Sequence, residues 1–263
     1  PDINNLQAVI DNTDPLNVRY GNPDLKPSYS NRFMLFFNNY MQESQRSVMM
    51  HLSFNNTLNS VASKMRYNQE TGGKITDLVN VNGNWNAQGF LNFNTPLGNK
   101  KFTLSTYSNA SYSDAVSFTS LTNQSGGGYS DSQKSTTHNM NLGEKVTGNY
   151  RSDLFDFSLN GSINYSLAKN NMQKQSNRET FDYIFGANTN INLPWSVYLS
   201  SDVNYNIKNG YSGNYQKDIV LWNAQLSKTF LKKNNATLRF KIYDILHQQS
   251  NLSRTISETM MQD

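Results

Sequence analysis

The chain carries three histidines, His51, His138 and His247, the side chains best suited to metal ligation or general acid–base work. They fall in separate segments without ligand-like spacing, so no metal site follows from them. Cys is absent, which removes thiol catalysis, Cys-ligated zinc and disulfide scaffolds together. "SGGGYSD" has the glycines of a phosphate cradle but lacks its Lys and its following helix. Ser and Asp are numerous, yet a nucleophilic site needs a pocket, a base and an orienting group within reach of one another, and the sequence groups none. The expectation is a protein that is not an enzyme and needs no cofactor. Binding chemistry is better represented. Tyr129, Arg178, Tyr211 and Tyr215 lie in polar connecting segments and offer stacking faces and charged hydrogen bonds. Lys and Arg exceed Asp and Glu by 23 to 19 but are dispersed, with only doublets such as Lys100-Lys101 and Lys232-Lys233. That pattern argues against a nucleic-acid-binding stripe.

The elements that must carry these residues are strands. Residues 75–95 alternate for their whole length: Ile75, Val79, Val81, Trp85, Ala87, Leu91 and Phe93 share one parity, and Asn80, Asn82, Asn84, Asn86, Gln88, Asn92 and Asn94 the other. Successive side chains of a strand leave opposite faces, so this reads as one long two-faced strand, with Leu78 and Phe90 as exceptions. The same pattern recurs at residues 102–118, 155–167, 181–193 and 197–207, and less cleanly at 29–40, 48–67, 136–150, 220–230 and 236–246. Between Phe54 and Val61 the apolar parity shifts, as at a bulge. The result is an all-β, antiparallel up-and-down meander of about ten strands.

Tight turns, such as "PLGNKK" and "LPWS", alternate with looser polar connections, such as "LTNQSGGGYSDSQKS" and "GYSGNYQKD". Short turns at one end and long loops at the other are the habit of transmembrane β-barrels. A mean hydropathy of -0.68 does not oppose this, because half of each strand faces water. No run approaches the roughly 18 apolar residues of a membrane helix. Aromatic residues cluster by strand end. Tyr150, Phe155, Trp195, Tyr198 and Phe230 lie by tight turns, and Tyr67 and Phe118 by long loops, a distribution that suits two headgroup belts.

"YGNPDLKPSYSNRF" supplies a family resemblance. Gly21, Asn22, Pro23, Leu25, Lys26 and Pro27 resemble the "GNPxLKPE" signature in the barrel of TonB-dependent outer-membrane receptors, SusC-like or related, with Ser28 in place of the acidic residue. "LFDFSLNGSINYS" and "NLPWSVYLSSDVNY" are similar to the C-terminal half of the same barrels. Pro23 and Pro27 delay ladder formation and place the strand start after them. The resemblance implies a barrel of roughly 22 strands in the outer membrane of a Gram-negative bacterium. It implies outer-membrane lipids around the wall, a TonB complex engaged through a plug region outside this chain, a nutrient ligand, and a surface lipoprotein as a further partner. The chain is then expected to be the C-terminal part of the barrel without its final strand, with Asn80, Asn82, Asn84, Asn86 and Asn92 facing the lumen. A protease-like outer-membrane barrel and a soluble carbohydrate-binding module are the competing readings. The first requires acidic and His residues gathered at one rim, and the second a sandwich of short strands.

Overall fold

The computed structural model describes residues 2–8, 10–67, 72–121, 131–172, 174, 177–211, 218–231, 235–249, 255–256 and 261–262. One helical turn, α1 (Ile3–Leu6), and two short strands, β1 (Ile10–Asp11) and β2 (Asn17–Tyr20), precede the meander. It continues as β3 (Tyr29–Met41), β4 (Arg46–Leu58), β5 (Ser60–Tyr67), β6 (Lys74–Val81), β7 (Asn84–Leu97) and β8 (Asn99–Leu121). Then follow β9 (Gln133–Arg151), β10 (Phe155–Asn170), β11 (Arg178–Leu193), β12 (Val197–Asn209), β13 (Asp218–Phe230) and β14 (Ala236–Ile242). Strands β15 (Thr255–Ile256) and β16 (Met261–Gln262), of two residues each, pair in a separate small sheet.

Strands β1 to β14 form a single 14-stranded sheet. From β8 to β14 each strand pairs antiparallel with the next, joined alternately by tight turns and longer connections. β4 and β5 are one strand interrupted at Asn59, and β6 and β7 are one strand interrupted at residues 82–83. A single pairing register runs through both halves, since Ser47 faces Asn94 and Ser60 faces Val81. Joined across these kinks, and without the short β1 and β2, the sheet has the ten long strands that the alternation predicts.

The kinks correct the expectation of one continuous strand over residues 75–95. Gly83 has φ 117°, a conformation costly for any residue with a Cβ, and Asn59 has φ 51° in the left-handed region that Asn tolerates best after Gly. The parity shift between Phe54 and Val61 is the trace of the second kink. Beyond them the hairpin tip is turned over, so that β5 rather than β6 meets β8. It does so in parallel, with Lys64 opposite Phe118, and β2 then pairs parallel with β6. The sheet therefore forks at β8, with β7, β4 and β3 on one branch and β5, β6, β2 and β1 on the other.

The small core of the molecule lies at this fork. Ala62, Val81 and Val116 are buried together, with Phe118 packed on them. Among the described residues no large side chain is fully buried. A soluble sandwich would cover its apolar rows with a second layer; here the sheet is a single layer.

Candidate functional site: a two-faced wall

Cross-strand register decides which residues share a face, because directly paired residues project to the same side. One continuous face carries Phe33 and Leu35 on β3, Leu52 and Phe54 on β4, and Ala87 and Leu91 on β7. It continues through Ala110 and Tyr112 on β8, Leu142 and Val146 on β9, and Leu159 and Ile163 on β10, and then through Phe185, Val203, Trp222 and Phe240 on β11 to β14. Most of these side chains are uncovered; Leu159, with only Gly148 and Ala187 opposite it, is 54% exposed. A shallow depression of about 760 Å³ crosses this face, where Ala87, Gly89 and Ala110 are small and Leu52, Phe54 and Leu142 stand around them.

The opposite face is amide-rich. Asn109, Asn141, Asn160, Asn164, Asn188, Asn190 and Asn204 share it with Ser111, Ser158, Ser162 and Ser200. Its groups bond laterally: Tyr198 Oη and Ser200 Oγ both donate to Asn190 Oδ1, at 2.7 and 2.8 Å, and Asn223 Nδ2 donates to Asp202 Oδ2 at 2.8 Å. Glycine makes room for the amides. A Cβ at Gly186 would lie 2.6 Å from Asn160 Oδ1 and 2.7 Å from Asn204 Oδ1, its neighbours on either side. This Asn-Gly-Asn row was invisible in the sequence, where its members are 26 and 18 residues apart. The face also carries an aromatic row, His51 stacked on Phe90 at 5.6 Å and Phe90 against Tyr107 at 5.9 Å, which accounts for Phe90 as an exception to the alternation. At the tight-turn end the face is hollowed into a cavity of about 450 Å³ lined by Lys100, Lys101, Asn149, Arg151, Asp156, Asn188 and Asn190.

The sequence motif is a clamp on the turned-over tip. Asn22 Nδ2 donates to the Leu78 carbonyl at 2.8 Å, Leu25 is buried, and the Lys26 backbone is held on both sides by Asn80, its N–H donating to Oδ1 at 2.7 Å and its carbonyl accepting from Nδ2 at 3.0 Å. Gly21 lies so close to the Gln7 backbone that a Cβ has no space. Pro23 and Pro27 precede β3, which starts at Tyr29 as the prolines require. Asn80 Nδ2 also reaches the Asn59 carbonyl at 2.7 Å, Asn82 Oδ1 accepts from Asn59 N–H at 2.7 Å, and Asn84 bridges Ser60 Oγ and the Val116 N–H. Three of the five asparagines expected to face a lumen are thus spent on groups of the clamp, the Asn59 kink and the fork. Asn86 and Asn92 do lie on the amide face, opposite Ser113 and Tyr107.

The remaining expected residues divide. Tyr150 and Phe155 meet on the apolar face at 5.2 Å between ring centres, beside Phe102, and Phe230 shares that face. Trp195, at φ 60° in the turn after β11, is 82% exposed. Tyr198 has the other parity and bonds Asn190, so it does not join the apolar ring row. Phe118 packs into the fork core instead of a belt, and Tyr67 ends β5. Tyr211 donates to Asp182 Oδ2 at 2.9 Å and lies 5.7 Å from the Lys208 ammonium, while Arg178, at the same loop end on β11, donates to the Asn177 carbonyl at 2.9 Å. Tyr129 and Tyr215 lie outside the described residues. Among the described residues no three metal-ligating side chains converge; His138 pairs instead with Asp114 at 2.6 Å, beside Tyr112 and Trp85.

A single-layer, mainly antiparallel sheet with one uncovered apolar face, one amide face, and tight turns segregated to one end is the wall of a membrane-spanning β-barrel protein. The chain belongs to the outer membrane protein beta-barrel family, which it matches over residues 1–155. Its place is therefore the bacterial outer membrane, with hydrocarbon against the apolar face. Comparison with curated proteins and with solved structures finds no match.

Proposed function

We propose that this chain forms barrel wall and extracellular loops of a TonB-dependent importer for a nutrient too large or too scarce for passive pores. The carrying observation is the two-faced wall: one face is apolar and uncovered, and the other presents neutral amides that donate and accept hydrogen bonds without fixed charge. Such a lining suits a glycan, a peptide or a metal chelate. The clamp of residues 21–27 supports the reading, because the stretch that resembles the receptor signature is ordered against the wall and anchors a loop-end hairpin. Tyr211, Lys208 and Arg178, at the loop end of β11 and β12, are the proposed ligand contacts. In this reading the edges at β3 and β14 continue into further wall of a barrel of roughly 22 strands, while the branch that ends in β1 belongs to the turned-over tip. A plug region then engages the TonB complex, a surface lipoprotein hands over ligand, and the protein carries out transport instead of catalysis.

The test is uptake of labelled glycans, peptides and chelates by cells expressing or lacking the full-length protein, with and without TonB energisation. Import of one class that needs both the protein and TonB is expected. Passive, energy-independent flux through the purified protein in planar bilayers would refute the importer reading.

A further inference from the structure

We propose that the loop end of the lipid-facing side binds the phosphate of an anionic lipid headgroup in the outer leaflet. On β10, Lys169 lies directly opposite His138 of β9, which lies opposite Asp114 of β8, so the three share the apolar side of the wall. Lys134, two steps of alternation further along β9 on the same side, extends its ammonium beside Gly83 and Val116. Both lysines are exposed. They therefore hold two positive charges on a surface whose lower part meets hydrocarbon.

Three carboxylates at this end of the wall are already engaged. Asp114 accepts from Trp85 Nε1 at 3.1 Å and holds His138 Nδ1 at 2.6 Å, Glu179 accepts the Tyr165 hydroxyl at 3.0 Å, and Asp77 is bridged by Arg66 at 2.8 Å. Lys64, on the same side of β5, lies between Phe118 on β8 and the Asp77 carboxylate on β6 and so adds little to the charge. Directly beneath the lysines stand rings suited to the headgroup boundary, with Tyr112 below His138 and Tyr165 4.8 Å from Phe181. Aromatic groups followed by lysines, read from the hydrocarbon outward, match the order of acyl chain, glycerol or sugar, and phosphate in an anionic lipid. Ammonium groups reach such phosphates as point charges on flexible stems.

Native mass spectrometry of the full chain in detergent provides the test. The probes are a diphosphorylated outer-leaflet glycolipid, the same lipid after phosphatase treatment, and inorganic phosphate as competitor. The phosphorylated lipid should be retained and its dephosphorylated form released. The double variant K134Q/K169Q should weaken retention about 30-fold, on the order of fivefold for each charge near an anionic lipid surface, while K145Q, on the opposite face, should leave it unchanged. Equal retention of both lipid forms by the unmodified chain would overturn the proposal without reference to any variant. Equal loss in K145Q, or displacement by millimolar inorganic phosphate, would overturn it as well, the latter by assigning the charges to a free anion.

Discussion

Placing an arginine at adjacent positions 159 and 160 separates the two faces of the wall by energy alone. Leu159 is the fifth residue of β10 counted from its tight turn, near the middle of the roughly 9–11 residues that a tilted strand needs to cross hydrocarbon. Its side chain has only Gly148 and Ala187 opposite it. Leu159→Arg puts a guanidinium at mid-depth among lipid tails, at a cost of about 2–4 kcal/mol, which lowers the folded-to-unfolded ratio roughly 30- to 1000-fold. Asn160→Arg, one residue on, lies on the amide face opposite Thr147 and Gly186, where water solvates the charge and Gly186 leaves room; a change within about 0.5 kcal/mol is expected. Leu193→Arg, on the apolar face beside the tight turn after β11, should cost only about 0–1 kcal/mol, because its charge reaches the interface. Reversible denaturant unfolding of the full chain in phospholipid vesicles, followed by tryptophan emission, measures all three. Equal costs at 159 and 160, or a cost at 193 as large as at 159, would refute the assignment of the apolar face to lipid.

Asn80→Ala removes the bonds to both backbone groups of Lys26 and to the Asn59 carbonyl, and should destabilise the clamp by about 1–3 kcal/mol. Hydrogen exchange should accelerate at residues 22–27 and 59–60 and stay unchanged in β10 to β13. Gly186→Val, whose Cβ would meet Asn160 and Asn204 amide oxygens, should cost about 1–3 kcal/mol by overpacking. Asn160→Ala in the same chain should recover part of that loss, whereas additive losses in vesicle unfolding would show that the row does not couple. The Asp14 carboxyl is held below the ordinary carboxylate range by the Asn17 amide and the Leu16 N–H. Its contribution to the turn before β2 is therefore complete above that ordinary range and is lost as pH falls through the depressed value. NMR shifts of the Leu16 and Asn17 amides should report the low titration, and Asp14→Asn should abolish it.

Much of the wall was legible in the sequence, because alternation reports a property that each strand carries by itself. Phe155, Leu159 and Ile163 against Asp156, Asn160 and Asn164 define two faces whatever strand lies beside them, and the connections announce which end is tight. The kinks were legible only in part. The parity shift after Phe54 marked Asn59, whereas residues 75–95 kept their alternation through Gly83 and concealed the second break. Alternation could not separate an asparagine that faces water from one that serves the backbone: Asn80, Asn82 and Asn84 have the parity of Asn86 and Asn92 but satisfy groups left unpaired where the hairpin turns over.

What the sequence by itself determined is the two-faced character of the strands, because alternation fixes which residues share a side; that the apolar rows lie uncovered in a single sheet, and so meet lipid, came from the structure. What only the tertiary structure decided is which strands adjoin at the fork of β8, and with it the roles of Phe118, Tyr198, Gly186 and the motif of residues 21–27. Those roles depend on register between segments distant in the chain. Period-two patterning specifies the side to which a residue points, but hydrogen bonds across the ladder select the neighbour it meets there.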